Sequence, residues 1–340
     1  MVEQLPTSGL SLPGAICWSP STAPFGSPAL SPSPQRIRVF APGSVGNVGP
    51  GLDVLGLAIG GGGDIVTAER TEAPGIVIVA PGHPSLPTDP AHHTSGIAAR
   101  EVLSRAGARF GLRLTVEKGL PLSGGQGGSA ASAVAGAVAA NLLLPSPVAL
   151  DHHQLVEAAL AAETAVSGRH ADNVAAILLG GLVLIRSLDP LDLVRVPVPP
   201  ALRVVLAHPN YSLPTREGRA VLPSRIPRED AVHQAAQVGA LVAAAWSGDL
   251  ALFGRAIEDR IAEPARAPLL PGFREAKHAA LEAGALGCSI SGSGPTAFAL
   301  VGDEGLGARV AEAMVAAYAA AGLSCRARVA TPDLEGARQI

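Results

Sequence analysis

Apolar positions along the chain repeat with two different periods. Short runs rich in β-branched residues predict strands, and these runs are 37–41, 76–80, 111–117, 202–207, 288–291, 296–301 and 324–329. Longer, mostly Ala-rich stretches with apolar residues three and four apart predict helices, and these stretches are 95–109, 129–143, 150–166, 231–246, 250–261, 273–283 and 305–321. A further strand, ending at residue 185, follows a Gly180–Gly181 break. Strands and helices mix without regular alternation, so the pattern predicts the α+β class.

The chain is long enough for two domains, and proline density suggests where they join. The run 194–200 is rich in Pro, which predicts a connection between a domain at 35–195 and a second at 196–340. Residues 1–34 are rich in Ser and Pro and carry a single charge, Glu3. That composition predicts a disordered extension ahead of the first domain.

Charge and hydropathy restrict the function classes. The net charge of −3 gives no electrostatic reason to expect a nucleic acid or an anionic membrane as partner. There is no apolar run of about 18 residues and no secretory signal pattern, so we expect a cytoplasmic protein. The chain has only two lysines, Lys118 and Lys277. A phosphate site is therefore expected to depend on backbone N–H groups and arginines.

The strongest local signal is the segment PLSGGQGGSAAS at Pro121–Ser132, between a predicted strand and a predicted helix. Glycines allow the backbone to approach an anion closely, and a helix start offers unpaired N–H groups. No Lys-Ser/Thr pair ends the segment, so it is not a Walker A loop. Ser129, at the helix start, could give a hydroxyl to Mg²⁺. The alternative is a helix N-terminus after a flexible turn, without a ligand.

Two more Gly-rich segments accompany it. Ala41–Gly56 contains two isolated polar residues, Asn47 and Asp53, which either form turn hydrogen bonds or hold a small polar substrate. Gly287–Pro295 is either an ordinary tight turn or a loop that closes over phosphate or substrate.

Scattered polar residues complete the candidate site. Glu163 is either on a solvated helix face or a Mg²⁺ ligand together with Ser129. His170–Asn173 is either a hydrogen-bonded loop or part of the site. Arg219 and Arg266 are either surface residues or a bidentate grip on a carboxylate.

Taken together, the three Gly-rich segments resemble the motifs of the galacto-, homoserine, mevalonate and phosphomevalonate (GHMP) kinase superfamily. Within it, the segments HADNVA at 170–175, TREGRAVLP at 215–223 and RIAEPAR at 260–266 resemble homoserine kinases. The resemblance runs from about Gln35 to the C-terminus. It implies an α+β two-domain GHMP kinase fold, with an N-terminal ATP-binding domain and a C-terminal ferredoxin-like domain. Gln126 and Gly128 depart from the motif, which usually has Leu and Ser there.

The resemblance also implies a role for each matching residue. It implies that L-homoserine and ATP bind with Mg²⁺, and that Ser129 and Glu163 hold the metal. It places Asn173 beside the transferring phosphate, with Asp172 either a base or, as we favour, a structural residue. The implied substrate contacts are Asn47, Asp53, His170, Thr215, Arg219, Arg266 and Gly292. The implied ATP contacts are Pro121, Leu122, Ser123, Gly124, Gly125, Gln126, Gly127, Gly128, Ser129, Ala130, Ala131 and Ser132.

The reaction expected from the resemblance is transfer of the ATP γ-phosphoryl group to the homoserine hydroxyl, a step of threonine biosynthesis. Two alternatives are a sister kinase for another small alcohol and a non-catalytic sensor. The arginines argue against a sugar substrate, and the pairing of Ser129 with Glu163 argues against a degenerate sensor. A homodimer is a further hypothesis.

Overall fold

The structure, a computed structural model, describes residues 35–340. The predicted disordered extension at 1–34 lies outside the described residues. The described part has two β-sheets flanked by helices. The strands are β1 (Arg36–Gly46), β2 (Leu55–Thr71), β3 (Gly75–Ala80), β4 (Gly111–Glu117), β5 (Leu182–Leu188), β6 (Leu191–Val196), β7 (Arg203–Pro209), β8 (Gly287–Ile290), β9 (Ala297–Val301), β10 (Cys325–Ala330) and β11 (Arg338–Gln339).

The helices cluster between and beside these strands. They are α1 (Thr94–Arg105), α2 (Gly128–Leu142), α3 (His152–Val166), α4 (Asp172–Leu179), α5 (Thr215–Ala220), α6 (Arg228–Ser247), α7 (Leu250–Arg255), α8 (Ala262–Arg266), α9 (Phe273–Glu282) and α10 (Glu304–Ala320), with 3₁₀ turns at Ser146–Val148 and Ala267–Leu269. Among the described residues, no helix combines the length and apolarity needed to cross a membrane.

The first sheet has seven strands, in the order β11–β1–β2–β4–β3, with β5 also paired to β2 and β6 to β5. Helices α1 to α4 pack against it and share its core. Helix α2 is buried almost throughout, and its Ala and Gly side chains permit close approach: a Cβ at Gly136 would lie 2.6 Å from the Ser95 carbonyl oxygen. An Ala-rich sequence therefore allows α2 to pack closely inside the molecule from Ala130 onward, while Gly128 and Ser129 at its start stay accessible.

The second sheet has four antiparallel strands in the order β10–β7–β9–β8. The chain order is strand, helices, two strands, helix, strand, which with this strand order is the ferredoxin-like arrangement predicted for the C-terminal half. Helices α9 and α10 share one core with this sheet. Another core joins both sheets to α6 and α7. The division into domains at residues 195 and 196 stays a prediction.

Some element predictions were wrong in informative ways. Strand β1 does not end at residue 41 but continues to Gly46, because β2 pairs with it along its whole length. Strand β2 was not predicted, since its Gly60–Gly63 run has no strand signal. Gly60–Gly62 are an irregularity in the ladder between the Pro42–Gly63 and Gly43–Ile59 pairs. Part of the predicted connection at 194–200 belongs to β6.

Candidate active site

The three Gly-rich segments meet at one place. The segment between β4 and α2, residues 121–128, is called the phosphate loop below. The Ser44 N–H on β1 donates to the Gln126 carbonyl at 3.1 Å, and the Ser291 hydroxyl after β8 donates to the Gly125 carbonyl at 2.6 Å. The Gly292 N–H donates to the Gly46 carbonyl at 3.1 Å. The fold therefore holds the phosphate loop between the other two segments.

A cleft of about 660 Å³ opens beside the phosphate loop. Most of the residues predicted to bind ATP, metal or substrate line it: Pro121, Leu122, Ser123, Gly124, Gly125, Gly127, Gly128, Ser129, Ser132, Glu163, His170, Asn173, Thr215 and Gly292. Eight other predicted site residues are not part of its lining: Asn47, Asp53, Gln126, Ala130, Ala131, Asp172, Arg219 and Arg266.

The start of α2 is open toward an anion. Gly127 precedes the helix with φ of 70°, and no side chain caps the first turn. A helix start of this kind presents unpaired N–H groups and the positive end of the helix dipole. The 15-residue helix thus supplies donors for phosphate oxygens. Gln126 instead donates from its side chain to the Thr296 hydroxyl at 3.2 Å, which explains its burial.

Glu163 is a buried carboxyl group with one free oxygen. Its Oε2 accepts from the Ser167 hydroxyl at 2.9 Å, and its Oε1 is buried without a hydrogen-bond partner among residues 35–340. Burial raises the pKa of Glu163, and the neighbouring hydroxyls of Ser129 and Ser167 oppose this rise only in part. A buried carboxylate oxygen beside a serine hydroxyl and a phosphate loop is the donor set that suits Mg²⁺. The residues present therefore fit the metal.

Asp172 and Asn173 are the first two residues of α4, a helix that was not predicted from the sequence. The Ser44 hydroxyl donates to Asn173 Oδ1 at 2.8 Å, and the amide NH₂ group donates to Asp172 Oδ1 at 3.4 Å, which leaves one of its two N–H bonds for another acceptor. Asp172 is buried, and its Oδ2 accepts the Asn47 N–H at 3.1 Å. This contact supports a structural role for Asp172 over a role as base.

His170 lies at the wall of the cleft, and its pKa is the outcome of opposing effects. Burial lowers the pKa, but the carboxylate of Asp172, 3.6 Å from Nδ1, raises it by more, while Arg219 opposes that effect. The net result is a raised pKa. His170 therefore holds a proton to higher pH than a free histidine does.

The two residues expected to take opposite charges of a substrate are paired with each other. Arg219 on α5 forms a two-point ion pair with Asp53, through both terminal nitrogens. Atoms of Asp53, His170 and Asp172 lie within 4.8 Å of one another, as in a metal site. Because Asp53 is already paired with Arg219, this cluster does not favour a metal ion.

The guanidinium group of Arg266 is not free to bind a carboxylate beside Arg219. It is buried, and its Nε and Nη1 donate at 2.9 Å to the carbonyl oxygens of Gly218 and Gly292. It thereby ties α5 to the third Gly-rich segment. Asn47 donates to the same Gly292 oxygen at 3.1 Å, and its Oδ1 accepts the Asp53 N–H. These contacts of Arg266 and Asn47 support the Asp53–Arg219 ion pair.

Comparisons with known proteins identify the family of this chain. The GHMP kinases N-terminal domain matches residues 93–181, and the GHMP kinases C-terminal region matches residues 238–320. The homoserine kinase of Chloroherpeton thalassium is 43% identical over 293 residues, 82% of this chain and 91% of the relative. That of Arabidopsis thaliana is 44% identical over 324 residues, 92% of this chain and 87% of the relative. The chain belongs to the homoserine kinase family. The crystal structure of homoserine kinase from Cytophaga hutchinsonii matches with a TM-score of 0.87 at 39% identity, covering 92% of this chain and all of that one (100%).

Membership in the homoserine kinase family confirms the predicted fold class and an ATP-dependent phosphotransferase. It favours neither a sister kinase nor a sensor. The lining of the cleft also includes a lysine that was not among the candidate site residues. Lys118 lines the cleft, where it bonds the Gly128 carbonyl at 2.8 Å and pairs with the buried Asp64. Asp64 gave no sequence signal, because it lies 54 residues away in the unpredicted strand β2.

Gly125 is the position where the phosphate loop and the third Gly-rich segment come closest. Its φ is 73°, and an added Cβ would lie 2.5 Å from the Ser291 oxygen and 2.8 Å from the Gly294 oxygen. We expect Gly125→Ala to raise the KM for ATP at least about tenfold and to lower Tm, because the loop must shift. Steady-state kinetics and a thermal melt measure both quantities.

Gly107→Ala is the matched control for this substitution. Gly107 also has positive φ, 62°, but a Cβ there would meet nothing within 4 Å. Gly107→Ala is therefore expected to lower the stability only through its strained backbone conformation, by about 1 kcal/mol. Equal ATP kinetics in the two variants would show that the close approach at Gly125 does not shape the nucleotide site.

Proposed function

We propose that this chain transfers the γ-phosphoryl group of ATP to the hydroxyl of L-homoserine, giving O-phospho-L-homoserine and ADP. The observation that carries the proposal is the set of residues that line or adjoin one cleft. The cleft is lined by the uncapped α2 start and by Glu163 with its buried, unpaired oxygen. His170 and Thr215 also line it, and the Asp53–Arg219 pair lies next to His170. Phosphate and a zwitterionic amino acid are the ligands that match these groups.

The phosphate loop would hold the triphosphate by backbone N–H groups, and Ser129 and Glu163 would hold Mg²⁺. When bound, Mg²⁺ neutralises charge on the phosphate oxygens. In the transfer, the bond from the γ-phosphorus to the bridging oxygen breaks and a bond to the substrate oxygen forms. Such transfers depend mainly on positioning and charge stabilisation.

On the acceptor side, the charges of the amino acid would exchange partners with the Asp53–Arg219 pair. Arg219 would take the substrate carboxylate and Asp53 its ammonium, so one ion pair is replaced by two. His170 carries a raised pKa near this pair and would add positive charge beside the carboxylate. Asn173, its amide oriented by Ser44, would donate to the transferring group. A cytoplasmic location, a homodimer and the lack of nucleic-acid or membrane partners stay predictions.

A coupled ADP-release assay across four acceptors tests the proposed reaction. We expect turnover with L-homoserine, and at least about a hundredfold lower kcat/KM with mevalonate, galactose and shikimate. Each of those three lacks the ammonium, so it would leave Asp53 or Arg219 without its partner. Comparable turnover with any of them would reject homoserine as the specific substrate.

A further inference from the structure

Asp64, on β2, is fully buried and uses both of its oxygens. Oδ1 accepts the N–H groups of Gly119 and Leu120 at 3.1 and 3.3 Å. Oδ2 accepts the Ser132 hydroxyl at 2.7 Å and the Lys118 ammonium. A carboxylate has about four acceptor positions. The Asp64 side chain is therefore saturated by residues that flank the phosphate loop.

The ammonium group of Lys118 also has all of its hydrogen-bond donors in use. Besides Asp64, its ammonium donates to the Gly128 carbonyl at 2.8 Å and to the Ser132 oxygen at 3.1 Å. An ammonium has three protons, so each of them has a protein acceptor. Although Lys118 lines the cleft, its contacts make it part of the support of the loop. Ser132, predicted as an ATP contact, likewise has its hydroxyl engaged with Asp64.

We propose that Asp64 is a positioning residue that fixes the phosphate loop at both ends. It holds residues 119 and 120, just before the loop, directly. Through Lys118 and Ser132 it holds the first turn of α2, just after the loop. The proposal rests on the proposed function only in taking residues 121–128 as the phosphate site.

The loop needs such a device because of its composition. Residues 121–128 include four glycines, which have the largest conformational freedom in the unfolded chain and resist being fixed. Anion binding by backbone N–H groups is effective when the donors are already oriented. The Asp64 carboxylate lies where β2, the end of β4 and the start of α2 meet, so it can fix both ends of the phosphate loop. The expected function of Asp64 is thus to hold the N–H groups in place before the nucleotide arrives.

The chain contains a matched control for this arrangement. Its other lysine, Lys277, pairs with Glu263, whose second oxygen accepts the Ser289 hydroxyl at 2.7 Å. The two clusters share the same chemistry, a carboxylate with a lysine and a serine, and both lysines are largely removed from solvent. The Glu263 cluster lies in the second half of the chain, and these two hydrogen bonds of the Glu263 carboxylate do not involve the phosphate loop. A substitution in the Glu263 cluster therefore measures the loss of stability on breaking such a cluster, without an effect on the phosphate loop.

The experiment compares Asp64→Asn, the double variant Asp64→Leu/Lys118→Met, Ser132→Ala and the control Glu263→Gln. Four quantities are measured: Tm, the Kd for Mg·ADP by titration calorimetry without homoserine, and the KM values for ATP and homoserine. We expect Asp64→Asn to weaken Mg·ADP at least tenfold and to change the homoserine KM less than twofold. Glu263→Gln is expected to lower Tm and leave the Mg·ADP Kd within twofold of the unaltered chain.

The double variant separates positioning from stability. Replacing a buried ion pair by apolar side chains of similar size often restores stability, so its Tm is expected to recover while Mg·ADP binding stays weak. Recovery of Mg·ADP affinity together with Tm would overturn the proposal. If Asp64→Asn fails to fold, Ser132→Ala removes only the two hydrogen bonds of the hydroxyl, with Asp64 and with Lys118, and leaves the ion pair in place. An unchanged Kd there would count equally against the proposal. An unaltered chain that binds no Mg·ADP would overturn the proposed function as well, whereas normal binding in every variant would overturn the Asp64 proposal alone.

Discussion

Replacing Glu163 with Gln is expected to lower kcat at least about a hundredfold and to leave Tm unchanged or higher. The side chain keeps its shape, but it can no longer offer an anionic oxygen to Mg²⁺. Stability should not fall, because Oε1 has no hydrogen-bond partner among the described residues and burial raises the pKa of this carboxyl. Removing a buried charge that has one oxygen without a partner relieves part of a desolvation cost. Steady-state kinetics at several Mg²⁺ concentrations and thermal melts measure the two effects.

The same substitution on the same helix provides the control. Glu157 lies on α3 as well, but it is exposed and forms a surface ion pair with Arg105. Exposed pairs contribute about 0–1 kcal/mol, so Glu157→Gln is expected to change neither kcat nor the Mg²⁺ dependence. Ser129→Ala should share the kinetic loss of Glu163→Gln, with a stability cost of about 1 kcal/mol at most. Near-normal turnover in Glu163→Gln at low Mg²⁺ would remove the carboxyl from the metal site.

The phosphate loop could be located from the sequence because its signal is local. Glycines followed by an Ala-rich helix are adjacent along the chain, so the loop and the start of α2 follow from one segment. The positions of Asn47 and Gly292 were also foreseeable as loop residues, but their contact across 245 residues was not. Contacts of that kind depend on how the two sheets are assembled, and no residue pattern encodes the distance.

The roles of the charged residues were harder to predict. The sequence suggested two arginines converging on a carboxylate, whereas Arg266 is engaged with two backbone carbonyls and Arg219 with Asp53. Most buried side-chain donors find acceptors inside the protein. Their neighbours come from distant segments, so sequence alone identified the residues and not their partners.

Arg219→Ala is expected to raise the KM for homoserine about ten- to a hundredfold, with the KM for ATP little changed. A charge-assisted bond to a carboxylate is worth about 1.5–3 kcal/mol, and 1.4 kcal/mol corresponds to a factor of ten. The structure adds that this variant also leaves Asp53 without its partner. We therefore expect Asp53→Asn/Arg219→Ala to bind homoserine no better than Arg219→Ala alone, although it should regain part of any lost Tm.

A lysine in place of Arg219 tests the geometry of the contact. Arg219→Lys keeps the charge and loses the planar fork that now meets both oxygens of Asp53. We expect its homoserine KM to lie between those of the unaltered chain and the alanine variant. Arg38→Ala, which breaks an exposed contact with both oxygens of Glu117, is the control and should change neither KM. If Arg219→Ala left the homoserine KM unchanged, the exchange of ion-pair partners would be wrong and Arg219 would serve only to hold Asp53. The substrate carboxylate would then have to bind at another basic group of the cleft wall, of which Arg216 is the nearest in sequence.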